Sequence, residues 1–210
     1  MDTIYKSDNK RVFLTFDDGP SPVTSKILDI LKQENVKATF FILGSNVDSR
    51  KDVVKRMYEE GHYLANHGYS HTYSKIYSSP QSVLDEYNEC NDKVKNAIEV
   101  PDYNSHLFRF PGGLAGGKYA EIKKEAKELL LQNNIVNVDW NALTGDAETN
   151  NLSVEFEMTR LTETMESKNS LVILMHDAAA KSVTADALPQ IIAKLKEEGY
   201  EFKNFYDIIK

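Results

Sequence analysis

The sequence predicts an α/β protein, a distorted (β/α) barrel of about seven parallel strands. Three observations carry this reading. Short apolar runs alternate with longer stretches of helical spacing along the whole chain. One run, LVILM at 171–175, is so apolar that both of its faces should be buried, as in a parallel sheet. Unusual polar residues recur at or just after the ends of the apolar runs, where parallel α/β proteins gather their chemistry. A doubly wound open sheet is the alternative arrangement of the same elements.

The elements follow in order. RVFLTF (11–16) reads as a buried strand, and residues 22–34 carry Val23, Ile27, Ile30 and Leu31 at helical spacing. ATFFIL (38–43) is a second strand; residues 48–60 form a second helix, stopped by Gly61. HYLAN is a third strand candidate, and a helix over 81–98 begins behind Pro80. HLFRF (106–110) and IVNVDW (135–140) read as strands, with a helix over 118–132 between them. A helix over 153–167 precedes LVILM, and a helix over 184–198 ends at Gly199. A short strand and helix close the chain. No linker, low-complexity segment or internal repeat interrupts the pattern, so one domain over residues 1–210 is expected.

Composition narrows the function. Net charge is −7, which argues against a nucleic-acid partner. No apolar run approaches the ~20 residues of a spanning helix, and MDTIYKSDNK is not a signal peptide. A cytosolic protein and one whose leader has been removed both fit. Cys90, the single cysteine, has no intrachain disulfide partner and reads as a buried thiol in a helix. A monomer is the default expectation.

The polar residues form a constellation. Asp17-Asp18, His67 and His71, Arg109, Asp139-Trp140 and His176-Asp177 all share strand-end addresses, which a parallel barrel would bring to one mouth. HGYSH sets two histidines four apart, on one face if that segment is helical. Two imidazoles and one carboxylate make a facial metal set with positions left open. Taken alone, the pair reads more simply as surface or core histidines. TFDDGP (15–20) holds two carboxylates, which is either a solvated turn or a metal ligand beside a base. RFPGG (109–113) places a guanidinium at a strand end, able to hold the base ionised, and then a turn whose N–H groups can meet an oxyanion. His176 is placed to protonate a leaving group, and Asp139 is the candidate carboxylate to raise its pKa and fix its tautomer. Trp140, the only tryptophan, is either a sugar-stacking wall or core packing. His62 and His106 read as structural. Asp146, in TGDA, is a helix cap, a loop anchor or a substrate contact.

Five motifs in order, TFDDGP, HGYSH, RFPGG, DWN and MHD, make the chain resemble the NodB-type polysaccharide deacetylases, the fourth carbohydrate esterase family, and most of all the peptidoglycan N-acetylglucosamine deacetylases of Gram-positive bacteria. The resemblance spans nearly the whole chain, and it implies the distorted barrel independently. It implies that Asp17 is the general base and that Asp18, His67 and His71 bind a divalent ion, usually zinc, with cobalt or others accepted. It implies that Arg109 orients the base, that Asp139 tunes His176 as general acid, and that the Gly112 N–H meets the oxyanion beside Pro111. Trp140 would wall the substrate groove and Leu174 line the acetyl pocket.

Two departures stand out. Gly68 replaces a Ser or Thr whose hydroxyl braces the loop in relatives, which bears on metal affinity. Phe110 and Gly112 replace a proline and an aromatic, so a more open groove floor is expected. The implied activity is metal-assisted hydrolysis of N-acetyl groups on a peptidoglycan or chitin-like polymer, outside the cell or at its surface. Hydrolysis of acetate esters on xylan, a silent carbohydrate-binding homologue and cleavage of a small amide are the competing readings.

Overall fold

The computed structural model describes residues 2–209. Its elements are β1 (Arg11–Asp17), α1 (Pro22–Gln33), β2 (Thr39–Ile42), α2 (Gly44–Val47), α3 (Lys51–Glu59), β3 (Tyr63–Asn66), α4 (Tyr73–Ile76), α5 (Pro80–Ile98), β4 (Leu107–Phe108), α6 (Ala120–Gln132), β5 (Val136–Asn137), β6 (Ala142–Leu143), α7 (Val154–Met165), β7 (Ser170–His176), α8 (Ser182–Glu197) and β8 (Glu201–Lys203). All the strand pairs are parallel, and the sheet runs β5-β4-β3-β2-β1-β7-β6. β7 lies along all seven residues of β1. The opposite edge of β1 is shared, with β8 against Arg11 to Phe13 and β2 against Thr15 to Asp17. The sheet curls into a half-barrel of seven strand positions, open between β5 and β6, as the sequence predicts in class and strand count.

Alternation along the strands sorts the core. Val12, Leu14 and Phe16 face the helices, with Ile27, Leu31, Leu188 and Ile191 against them. Phe13, Phe41, Ala65, Leu107, Val138 and Val172 fill the barrel interior. Ile4 and Phe205, from the two ends of the chain, join this inner cluster, where the Phe205 ring lies 5.2 Å from that of Phe13. Each fully buried large side chain here contributes about 1.5–3 kcal/mol. The same two-residue period then carries upward. Thr15 and Asp17 follow Phe13, His67 follows Ala65, Arg109 follows Leu107, and Leu174 and His176 follow Val172. Polar groups therefore crown an apolar interior at the carboxyl ends of the strands.

Helix starts obey their caps. Ser21 closes a capping box ahead of Pro22 on α1, and Ser79 accepts from Ser82 N ahead of Pro80 on α5. Cys90 is buried on α5, as expected, and its thiol donates to Ile42 O. Among the described residues no helix is long and apolar enough to cross a membrane.

Three local expectations change. The helix expected over 48–60 arrives as a 3-10 turn over Asp48–Arg50 followed by α3, and α2 is a separate short turn ahead of it. At Gly44 the chain passes so close to α5 that a Cβ would lie 2.8 Å from Cys90 Cα. The strand expected over 106–110 has only a two-residue ladder. The strand expected over 135–140 is only the two residues of β5, because the chain leaves the sheet after Asn137 and returns as β6 at Ala142. The carbonyls of Val138 and Asp139 accept instead from Arg109, at 3.0 Å each, so this stretch is held by a guanidinium rather than by a strand.

Candidate active site

Asp17 and His176 are register partners on β1 and β7, side by side at the mouth. Asp17 is almost fully buried, and its Oδ1 accepts from Arg109 Nη1 at 2.8 Å. Arg109 is fully buried too; Nη1 also donates to Thr15 Oγ1, and the guanidinium lies 4.0 Å from the centre of the Phe41 ring. Burial pushes the Asp17 carboxyl above the usual range, and the Arg109 and His176 charges only partly oppose it. Arg109 acts in the direction expected of a guanidinium beside a base, but desolvation outweighs it.

The next residue turns the other way. Asp18 takes φ 76°, a left-handed conformation that costs a non-glycine residue about 1–3 kcal/mol. Its carboxylate meets His67 Nε2 and His71 Nε2, each 3.5 Å from Oδ1. His67 Nδ1–H donates to Arg109 O at 2.8 Å, which fixes the tautomer and leaves the Nε2 lone pair facing Asp18. Burial holds the His67 imidazole down at about 3, so it is neutral. One ligand atom from each of Asp18, His67 and His71 lies within 4.8 Å of the others, and Asp18 Oδ1 is buried without a hydrogen-bond partner among the described residues. A carboxylate oxygen left unpaired between two imidazole nitrogens fits a divalent cation.

His67 and His71 do not share a helix turn, as their spacing suggested. They lie on a loop in which Gly68 and His71 have φ of 83° and 52°. A neighbouring helix braces that loop. Glu86 Oε2 on α5 accepts from Tyr69 N at 2.9 Å and Ser70 N at 2.8 Å, while Ser70 Oγ donates to Glu86 Oε1. Asn66 Oδ1 takes the Gly68 N–H. A Cβ at residue 68 would lie 2.8 Å from Ile76 Cδ1. The hydroxyl missing at Gly68 is thus answered by Glu86, a half-buried helix residue that no motif singles out.

Asp139 is a correction. It does not reach His176: its Oδ2 accepts from Leu114 N at 3.2 Å, and its carbonyl serves Arg109. The reason is phase. Val138 packs in the barrel interior, and Asp139 comes one residue later. Asp146 is the carboxylate at His176 instead. His176 Nδ1–H donates to Asp146 Oδ1 at 2.8 Å, and His176 N–H to Oδ2 at 2.7 Å. Burial alone would lower the imidazole, but the Asp146 bond and charge, with Asp17 and Asp18, outweigh it and raise His176 to about 9. Asp177 turns away, as expected of the residue after His176, and accepts from Thr24 on α1.

The RFPGG turn is held from below. Tyr77 Oη donates to Pro111 O at 2.7 Å and Lys123 Nζ to Gly113 O at 2.6 Å. Gly113 N–H donates to Phe110 O, while among the described residues the Gly112 N–H has no acceptor. The open floor expected at Gly112 is instead covered by the Tyr73 hydroxyl, which any Cβ there would strike. Trp140 packs against Gly113, where a Cβ would come within 2.9 Å of its ring, and it lines a cleft of about 470 Å³ at the open seam with Tyr5, Leu114 and Val136. A second groove, about 380 Å³, opens beside Asp18 and His71 and is lined also by Pro20, Asn46, Arg50 and Ala178. Leu174 sits one strand period below His176. His62 is structural, its Nδ1 accepting from Ala38 N; His106 Nδ1 bonds Asn134 O outside the site.

A cation site flanked by a buried carboxylate and a carboxylate-backed imidazole is equipped to split an acyl bond with water, and the class is hydrolase. The comparisons carry this further. Residues 5–132 match the polysaccharide deacetylase family, to which the chain belongs. It is 37% identical to a putative polysaccharide deacetylase, YheN, of Bacillus subtilis over 96% of this chain and 69% of that one. It is 34% identical to a peptidoglycan-N-acetylglucosamine deacetylase of Bacillus cereus, over 95% and 71%. Among solved structures, a CE4 esterase of Streptococcus mutans superposes with a TM-score of 0.88 at 35% identity, covering 97% of this chain and 90% of that one.

Proposed function

We propose that this protein is a zinc-dependent N-deacetylase that releases acetate from N-acetylglucosamine residues of peptidoglycan or a chitin-like polymer, outside the cell or at its surface. The observation that carries the reading is the pairing of Asp17 with His176 across β1 and β7, directly beside the Asp18, His67 and His71 set. Relatives named for peptidoglycan deacetylation support the substrate class.

Asp18, His67 and His71 would hold the ion, which when bound polarises the acetamide carbonyl and acidifies water. Asp17 has one oxygen on Arg109 and uses the other to take a proton from the attacking water. The new C–O bond turns the carbonyl oxygen into an oxyanion, which the Gly112 N–H, without an acceptor among the described residues, would meet. Pro111 shapes that turn, and Leu174 packs beside the acetyl methyl. His176, held by Asp146, gives its proton to the leaving nitrogen as the C–N bond breaks. The products are acetate and a glucosamine unit.

The test is free acetate from peptidoglycan, chitin oligomers and acetylated xylan, with zinc supplied and then chelated. Metal-dependent acetate from either of the first two is expected. Acetate from xylan alone would make the protein an esterase, and none from any of them with zinc bound would overturn the enzyme reading.

Glu86 gives a second expectation. Removing the carboxylate that ties Tyr69 and Ser70 should loosen the loop carrying His71, and Glu86→Ala should weaken zinc binding about 10–100-fold. Competition with a chromogenic chelator reads this directly. Unchanged affinity would mean that the loop holds its shape without the brace.

A further inference from the structure

Behind Asp146 the hydrogen bonds continue into a place the mechanism has not used. Thr184 Oγ1, on α8, lies 3.1 Å from Asp146 Oδ2 and 3.2 Å from Glu157 Oε1. Glu157, on α7, is fully buried, and neither its Oε2 nor the Thr144 hydroxyl facing it makes a geometric hydrogen bond among the described residues. A hydroxyl owns one proton. It cannot donate to two ionised carboxylates at once; if both were charged, one contact would set lone pair against lone pair in the dry interior. A second proton must therefore be shared into the group. Asp146 is the poorer holder, because both its oxygens already accept from His176. Glu157 is the better one, since a neutral acid tolerates an unpaired carbonyl oxygen far more cheaply than an anion does.

We propose that Glu157 is a positioning residue for the acid: its proton decides which carboxylate the Thr184 hydroxyl serves, and so sets how tightly Asp146 holds His176. With Glu157 neutral, its O–H donates to Thr184 and the Thr184 proton goes to Asp146 Oδ2. That bond draws charge from Asp146 and leaves His176 a readier proton donor. With Glu157 ionised, the Thr184 proton is contested, Asp146 becomes more basic, and His176 keeps its proton longer.

Burial acts in the same direction as the geometry. Burial, then the Asp146 charge, raises the Glu157 carboxyl to about 7, against the hydroxyls of Thr184 and Thr144 and the charge of Lys181. Thr184 comes from α8, Thr144 and Asp146 from the stretch after β6, and Lys181 from the loop ahead of α8. Lys181 also donates to the Asp146 carbonyl. The sign follows. An ionised Glu157 contests the Thr184 proton that Asp146 Oδ2 otherwise receives, which keeps Asp146 basic. Gln at 157 cannot ionise and keeps a donor for Thr184. Glu157→Gln should therefore lower the His176 midpoint.

The inference rests on His176 being the acid, so its test includes a readout that needs no turnover. NMR titration of the His176 imidazole in zinc-loaded protein is expected to show the midpoint falling by about 0.5–1 unit in Glu157→Gln. The alkaline limb of kcat should move down with it, and KM should not. Thr184→Val removes the bridge, should raise the midpoint by itself, and should blunt the effect of adding Glu157→Gln. An unchanged His176 midpoint in folded Glu157→Gln and Thr184→Val overturns the proposal. If the Gln variant does not fold, Thr184→Val decides alone. Absence of acetate from the wild type would remove the enzyme reading, while the titration would still report on the relay.

Discussion

Asp17→Asn is expected to lower acetate release about 10²–10⁴-fold while zinc remains bound. The amide keeps the shape of the carboxylate, and its oxygen can still accept from Arg109 Nη1, so the β1 and β4 ends stay in register. What it lacks is a basic oxygen for the proton of the attacking water. The same change leaves the fully buried guanidinium without its counter-charge, a class of loss that costs about 3–5 kcal/mol. A fall in Tm should accompany the loss of turnover. The assay therefore pairs acetate release with zinc titration and a melting curve at a temperature where the variant is folded. Retention of near-normal turnover would remove Asp17 from the role of base. Loss of zinc together with activity would instead place Asp17 among the ligands.

The second large effect separates two aspartates seven positions apart. Asp146→Asn is expected to lower kcat about 10²–10⁴-fold, by the reasoning that applies when a carboxylate behind a catalytic histidine becomes an amide. Asp146 Oδ1 and Oδ2 both accept from His176, so an NH₂ group at either place faces a donor, and the ring loses both its tautomer and its raised pKa. Asp139→Asn should change kcat less than about tenfold, because that side chain holds Leu114 N rather than His176. The pH profile gives an independent sign. Asp146 raises His176, so the alkaline limb of kcat should fall to lower pH in Asp146→Asn and stay in place in Asp139→Asn. The reverse pattern would restore Asp139 as the partner of the acid.

That contrast also shows where reading a sequence stops. DWN follows an apolar run, so Asp139 has the right address, a strand end, and the wrong phase. Asp146 looks like an ordinary loop residue in TGDA. It reaches His176 because β6 pairs with β7, Leu143 opposite Leu174, and so delivers the following loop beside the end of β7. A two-residue strand with no alternation to read carries too little pattern to be seen alone. Glu86, Thr184 and Glu157 were equally silent, for each sits on an amphipathic helix where a charged or hydroxyl residue is unremarkable. Arg109 lowers the Asp17 carboxyl as expected, but the larger opposing effect of burial was not legible, since burial depth is a property of the assembled barrel.

By itself the sequence determined the class of fold, the order of its strands and helices along the chain, and the chemical kit: two carboxylates, two histidines, an arginine and a further histidine at strand ends. Those are local properties, written in the period of apolar residues and in which side chains can ligate or titrate. Tertiary structure decided which carboxylate backs the acid, what braces the HGYSH loop, and which groups meet behind Asp146. Each depends on groups distant in sequence meeting at about 3 Å in a dry interior, and that meeting is set by strand pairing and burial.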